Sequence, residues 1–396
     1  MTPYTIPPLQ IDPRILPPPL RTSEPNSFAY HTLKIRVPEI LREIIADNPD
    51  ARDALAELHQ EITRGKIREL REQTEDRIFW DAASREFIGR SWLDVPWFWA
   101  ETFFYRRVLE ATRFFENGID PFRAKKQAEL APAAAPRAVA NLLRGLPRTP
   151  RARFIALMHA SLWGNRYDQS LNVAAMLNHA APGGDERANL LADDSGRAWD
   201  FLRENAPARV AFIADNAGTE LAMDIALIDF LLTEKIAARI DVHLKPQPFF
   251  VSDAMPRDFE ATLDAFTRAG GETRALAERI RGFVSNETCR IQTHWFYPSS
   301  LFYFQLPEDL RMALGETSFV FIKGDANYRR LLGDAHWEPA TPFEFATAYF
   351  PAPFVALRTL KAQVVVGLRV GAAEQLRAAD AEWLVNGKRG VIQGRL

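Results

Sequence analysis

From Val210 to Ala214 the chain carries no polar side chain, and the run stops at Asp215. A segment that short and that apolar has no solvated face, which is the pattern of a strand covered on both sides. Glu220 to Leu232 then shows helical spacing, so the unit is strand, turn, helix. It recurs. Ile240 to Leu244, a helix from Pro256 to Arg268, Arg290 to Thr293, and Ser318 to Ile322 leading into Asn327 to Leu332 continue the alternation. Alternating strands and helices predict an α/β fold with a parallel sheet and helices on both faces. Val355 to Leu357 and Val364 to Val366 read as late strands, candidates for an antiparallel edge.

Upstream the period changes. Leu41, Ile44 and Ile45, then Leu55, Leu58 and Ile62, then Phe103, Phe104, Val108 and Leu109 recur at helical steps between Ser27 and Gly118. The segment from Arg123 to Pro150 is rich in Ala, Pro and basic residues and reads as a variable insertion holding a short helix. Helical patterning resumes at Phe154 to Trp163 and around Leu190 to Leu202. A chain of 396 residues exceeds what one core usually organises, and the division expected is a mainly helical domain over 1–205 and an α/β domain over 206–396.

Composition excludes several function classes. With 49 basic and 51 acidic side chains there is no global field to attract nucleic acid or an acidic membrane face, so any anion recognition must be local. Cys289 is the only cysteine, which rules out an intrachain disulfide or a multi-cysteine metal cluster. The start, Met1 to Pro19, is punctuated by prolines and lacks a signal-peptide pattern, and no stretch is apolar enough to span a bilayer; the expectation is a cytoplasmic protein.

In open α/β sheets ligands bind beyond the carboxyl ends of the strands, so the polar residues after each apolar run matter most. Three turns stand out: Asp215-Asn216-Ala217-Gly218-Thr219-Glu220, Ser252-Asp253 after Phe249 to Val251, and Lys323-Gly324-Asp325-Ala326-Asn327-Tyr328-Arg329. Two carboxylates and an amide oxygen make a hard site suited to Mg²⁺ or Mn²⁺. Lys323, Arg329, Arg358 and Lys361 add cations nearby in the chain, the mixture that phosphoryl chemistry requires. Read as structure alone, Asp215 is a helix N-cap and Asp253 a loop residue.

Rival motifs fail on particular residues. An aspartyl-phosphate phosphatase of the haloacid dehalogenase type matches Asp215 and Thr219, but its acid/base aspartate falls on Ala217. A methyltransferase glycine loop needs repeated glycines before Glu220, and only Gly218 is there. No P-loop occurs, and the histidines lack zinc-protease spacing.

Seven blocks in order resemble the damage-control phosphatase family (domain of unknown function 89), in its acidic-residue methyltransferase 1-like branch. They begin at Ser27 (SFAYHTLKIRVPEIL), Pro96 (PWFWAETFFYRR), Ser161 (SLWGNRYDQSLN), Asp215 (DNAGTELAMDIALIDFLL), Phe249 (FFVSDAMPRDF), Lys323 (KGDANYRRLLGDAHWE) and Ala352 (APFVALRTLKAQVVVGL). The resemblance implies a three-layer α/β/α doubly wound (Rossmann-like) sandwich with a helical N-terminal region. It also implies a Mn²⁺-, Ni²⁺- or Co²⁺-supported phosphatase of small phosphorylated metabolites, fructose 1-phosphate and related hexose phosphates among them. The family's metal ligands fall on Asp215, Asn216 and Asp253. Its sugar-phosphate pocket falls on Asp325, Asn327, Tyr328, Arg329 and Lys361, and its Arg-Thr-x-Lys signature on Arg358 to Lys361. Glu220 matches a position linked in relatives to S-adenosylmethionine, and a carboxyl methyltransferase is the rival enzyme reading. A metabolite sensor without turnover is the non-enzymatic one.

The mechanism expected places Asp215 and Asp253 as catalytic ligands, either of which could orient the attacking water, with Lys361 and Arg329 on the phosphate. The helical half is expected to close over the pocket. Asn165 and Asp168, three apart beside Gly164, are expected to bind substrate hydroxyls. Glu101 and Arg106 in the aromatic helix must be paired or face the pocket, because an isolated buried charge is costly.

Overall fold

The structure, a computed structural model, describes residues 6–130, 134–164 and 189–396. Its centre is a seven-stranded sheet in the order β1-β7-β6-β5-β2-β3-β4. The strands are β1 (Leu190–Asp193), β2 (Ala208–Ile213), β3 (Ala237–Leu244), β4 (Cys289–Thr293), β5 (Phe319–Lys323), β6 (Phe354–Thr359) and β7 (Gly390–Arg395). From β4 to β6 all pairings are parallel, while β7 runs antiparallel to β6 and parallel to β1.

The two faces of β2 explain its sequence. Ala211 and Ile213 point into one core together with Val320, Ile322 and the N-terminal helices. Val210 and Phe212 point into a second core with Phe319, Phe321 and the helix Thr219–Thr233. A strand packed on both sides has no reason to alternate in polarity, and this one does not. Helices therefore cover the sheet on both sides, as a doubly wound sandwich requires, with the helices Val37–Asp47, Arg52–Arg64, Arg77–Ser84 and Trp97–Ala111 among those on the first face.

Several expectations are corrected. Leu190 to Asp193, expected to continue a helix, forms β1, and the helix starts at Ser195. Val364 to Val366 is no strand. The carbonyls of Ala362 and Val364 accept from Arg358 and that of Val366 from Gln393, so side chains satisfy the backbone that a ladder would otherwise have to pair. The antiparallel strand is β7, with β1 outside it as the edge.

The Ala/Pro-rich segment is not peripheral. It folds into the helices Arg123–Leu130 and Ala134–Gly145, and Ala135, Val139 and Leu142 belong to the second core. With β1 and the helices Pro150–Trp163 and Ser195–Glu204, it makes residues before 206 part of the sandwich.

Candidate active site

The chain leaves β2 for β3 and β4 on one side of the sheet, while β5 and β6 lie on the other. The loops after β2 and β5 therefore diverge at a topological switch point, where such sheets bind ligands. Asp215 follows β2 and Gly324 follows β5. The two turns touch so closely that a Cβ on Gly324 would lie 2.0 Å from the Asp215 carboxyl carbon, and Gly324 has φ +91°. Only glycine fits there.

Backbone bonds fasten the loop after β3 to this point. Ala254 N–H donates to Asp215 O at 2.8 Å, Ala217 N–H to Ser252 O at 2.7 Å, and Asn216 and Asp253 form an isolated antiparallel bridge. The same loop holds Phe250 at φ 43° and Val251 at φ 65°, left-handed conformations that cost about 1–3 kcal/mol each and persist only where neighbours enforce them. Lys126 is one enforcer: its buried ammonium donates to Asp253 O at 2.8 Å and to Asp258 at 3.0 Å. Sequence reasoning missed Lys126 because it lies in the Ala/Pro-rich segment, which matches no block.

The side chains form one electrostatic unit. Asn216 Nδ2 donates to Asp215 Oδ2 at 2.7 Å and to Glu220 Oε2 at 3.0 Å, while Asn216 Oδ1 accepts from Ser252 Oγ at 2.6 Å and keeps a second lone pair. Burial, and then the charges of Glu220 and Asp253, push Asp215 well above the usual carboxylate range. Burial also raises Asp253, against the pull of Lys245. Lys245 Nζ lies 3.1 Å from Asp253 Oδ2, an ion-pair contact without hydrogen-bond geometry, and donates to Ala214 O at 2.7 Å. Lys245 is a second site residue that sequence reading passed over, placed by the end of β3.

These residues open into a cleft of about 420 Å³, walled on one side by strand-end residues Asp215, Asn216, Ser252, Asp253, Asp325 and Lys361. The N-terminal helices supply the other wall, which agrees with a helical half closed over the pocket. A larger cleft of about 710 Å³ runs past Trp80, His294 and Trp295, but the acids Glu72 and Asp76 on its wall are bound by Arg106. None of the predicted site residues lines it. The smaller cleft is the one that gathers the predicted strand-end residues.

Of the four cations expected near the metal site, only Lys361 is exposed in the cleft. Lys323 is buried beneath it, donating to Glu220 Oε1 at 2.9 Å and Ser161 O at 2.8 Å, with Asp224 Oδ1 at 3.1 Å. Arg358 holds Asp325 Oδ1 at 2.7 Å and the backbone carbonyls already named. Burial opposes the charge of Asp325, yet Arg358 and Arg329 hold it below its usual value. Arg329 lines the cleft but is clamped by Glu101 at 2.5 Å and Asp334 at 2.8 Å, its guanidinium 3.8 Å from the Trp97 ring centroid. Arg106 forms the structural pair, with Glu72 and Asp76.

The side chains of Asn327 and Tyr328, two residues expected in the sugar-phosphate pocket, are engaged within the protein. Asn327 Nδ2 donates to Lys323 O at 2.8 Å and its Oδ1 accepts from Tyr303 at 3.1 Å, while Tyr328 OH donates to Gln393 at 2.7 Å. Both are buried outside the cleft lining. Asn165 and Asp168 lie outside the described residues. Gly164 caps the helix Pro150–Trp163 in a right-handed helical conformation, and a Cβ there would meet the Glu220 Cα at 2.7 Å. Gly164→Ala should therefore lower stability by about 1–3 kcal/mol through overpacking, read by urea unfolding; a variant as stable as the parent would show that this contact yields.

Among the described residues no three His, Cys, Asp or Glu side chains are grouped to hold an ion. The donor set here is instead two carboxylates and an amide, and it fits a hard cation. Six carboxylates line the cleft, Glu39, Glu43, Glu101, Asp215, Asp253 and Asp325, against the four cations Arg36, Lys125, Arg329 and Lys361. Lys245 beside Asp253 and Arg358 on Asp325 offset that excess from behind the lining, so the fit rests on the hard oxygen donors themselves.

The damage-control phosphatase ARMT1-like domain model matches residues 32–376. Damage-control phosphatase ARMT1 of Danio rerio is 31% identical, with 93% of this chain and 94% of that one covered. The protein of the same name from Homo sapiens is 29% identical, with 96% and 98% covered. A crystal structure of a DUF89 family protein from Pyrococcus horikoshii shares the fold, at a TM-score of 0.51, 13% identity, and 92% and 97% coverage. No helix among the described residues is long and apolar enough to cross a membrane. Matched over most of its length, the chain belongs to the damage-control phosphatase ARMT1-like family.

Proposed function

We propose that this protein is a divalent-metal-dependent phosphatase of small sugar phosphates, fructose 1-phosphate and related hexose phosphates among them. The observation that carries the reading is the convergence of Asp215, Asn216 and Asp253 at the sheet's switch point, in one cleft with Lys361 and the N-terminus of the helix Asp325–Leu332. Helix N-termini present N–H groups and a positive dipole end to anions.

Asp215, Asn216 and Asp253 would hold the cation, of which Mn²⁺, Ni²⁺ and Co²⁺ are the first choices and Mg²⁺ the next. When bound, it draws charge off a phosphoryl oxygen and lowers the pKa of a coordinated water. Lys361 and the first turn of the Asp325–Leu332 helix would take the remaining phosphate oxygens. Asp215 or Asp253 would orient the attacking water and accept its proton. Arg36 and Lys125 at the mouth attract the anion.

The carboxyl methyltransferase reading is weaker. It asks Glu220 to receive S-adenosylmethionine, and both Glu220 oxygens are engaged, Oε1 by Lys323 and Oε2 by Asn216. Phosphate release from fructose 1-phosphate should stop on chelation by EDTA and return with added Mn²⁺. Release that persists at full rate after exhaustive chelation would remove the metal from this reading, and tritiated methyl transfer without phosphate release would replace it.

A further inference from the structure

Opposite the strand ends, the cleft wall includes Thr32, Arg36 and Trp97. Thr32 to Arg36 is a single π-helical turn. Such widened turns are rare and are found frequently at functional sites. Thr32 is 3% exposed and Trp97 1% exposed, and Thr32 Oγ1 and Trp97 Nε1 are both buried polar atoms without a hydrogen-bond partner.

An unpaired buried hydroxyl or indole N–H lowers folding stability, and native proteins leave few of them. Both belong to residues that line one cleft, and a ligand that reaches them would supply the missing partners. Phosphate oxygens also accept from such donors, but the cations and the helix N-terminus opposite already serve them. The Trp97 N–H can only donate, while the Thr32 hydroxyl both donates and accepts. A sugar hydroxyl, which accepts from the indole and can donate to or accept from Thr32, satisfies both.

We propose that Thr32 and Trp97 form the subsite that reads the hydroxyls of the substrate's non-phosphate portion. The proposal rests on the phosphatase reading above and gives it a source of specificity. A polyhydroxylated ester gains bonds here that a plain aryl ester cannot make. A site built to bond a hydroxyl discriminates strongly against a ligand that lacks it, because its own groups then stay unpaired.

Thr32→Val keeps the shape and removes the hydroxyl. With Mn²⁺ present, it should cut kcat/KM for fructose 1-phosphate by about tenfold or more, mainly through KM, and change p-nitrophenyl phosphate turnover by less than about twofold. The ligand-free variant should melt no lower than the parent, since an unsatisfied hydroxyl has gone. Trp97→Phe should shift the ratio of the two esters the same way. Equal losses on both esters, or an unchanged ratio, would overturn the subsite while leaving the phosphatase reading intact. A parent protein that hydrolyses neither ester would remove that reading and the subsite together.

Discussion

Asp253→Asn is expected to purify as a folded protein whose metal-dependent phosphate release has fallen about a thousandfold. The substitution keeps the size of the side chain and removes one charge. That charge is expensive in the free protein: burial raises Asp253 above the usual carboxylate range, and its field helps push Asp215 higher still. Removing it relieves that repulsion and strands part of the Lys245 charge, but Lys245 keeps its bond to Ala214 O at 2.7 Å. The two effects oppose each other in stability, whereas nothing offsets the loss in function. The introduced amide would offer a neutral oxygen where the site needs to gather positive charge. The measurement is paired, turnover against a thermal melt and a calorimetric Mn²⁺ titration. A variant holding more than about a tenth of parental kcat/KM would take Asp253 out of the catalytic set.

Legibility in the sequence differs from one part of this site to another. The strand ends are legible because burial on both faces leaves its mark locally: Val210 to Ala214 has no polar side chain, and the chemistry begins at the next residue. Asp215 and Asn216 therefore need no tertiary information to be singled out. Charges whose partners come from elsewhere in the chain are not legible in this way. Lys323 follows an apolar run as convincingly as Asp215 does, yet Glu220, Asp224 and the carbonyl of Ser161 enclose it. Arg329 is likewise spent on Glu101, a residue from the helical half. Spacing along the chain gives no account of such pairings.

The opposite wall is hidden for a related reason. Thr32, Arg36 and Trp97 sit in segments whose helical period advertises packing, and which of their polar atoms lack partners is a property of the folded cleft. Among the strands, β7 escapes a sequence reading because Gly390, Gln393 and Gly394 break its apolar pattern, while Gln393 is buried and bonded to Val366 O. In Val364 to Val366 the same bond, with those from Arg358, lets an apolar run stay irregular. Periodicity reports burial, and here burial came without a ladder.

Lys323→Met is expected to be the most destabilising of these changes, at about 3–5 kcal/mol, because it leaves two buried carboxylates facing each other without their cation. Asp224 is wholly buried, its Oδ2 already lacks a hydrogen bond, and burial foremost, with Glu220 next, pushes it up to about 6 even with Lys323 in place. A carboxyl group raised in the folded state binds protons more tightly there than in the unfolded chain. Its ionisation therefore costs no stability below its ordinary value of 3.8, and costs progressively more as pH rises through about 6. Without Lys323 the folded-state value moves higher and the cost at neutral pH grows. The deficit relative to the parent should accordingly be largest near neutrality and shrink as pH falls toward about 5. Adding Asp224→Asn should recover part of it at neutral pH, since one of the two orphaned charges is then gone. Urea unfolding at two pH values reads both effects. A deficit below about 1 kcal/mol, or one that widens on acidification, would mean that Lys323 is not the counter-charge holding Glu220 beneath Asn216.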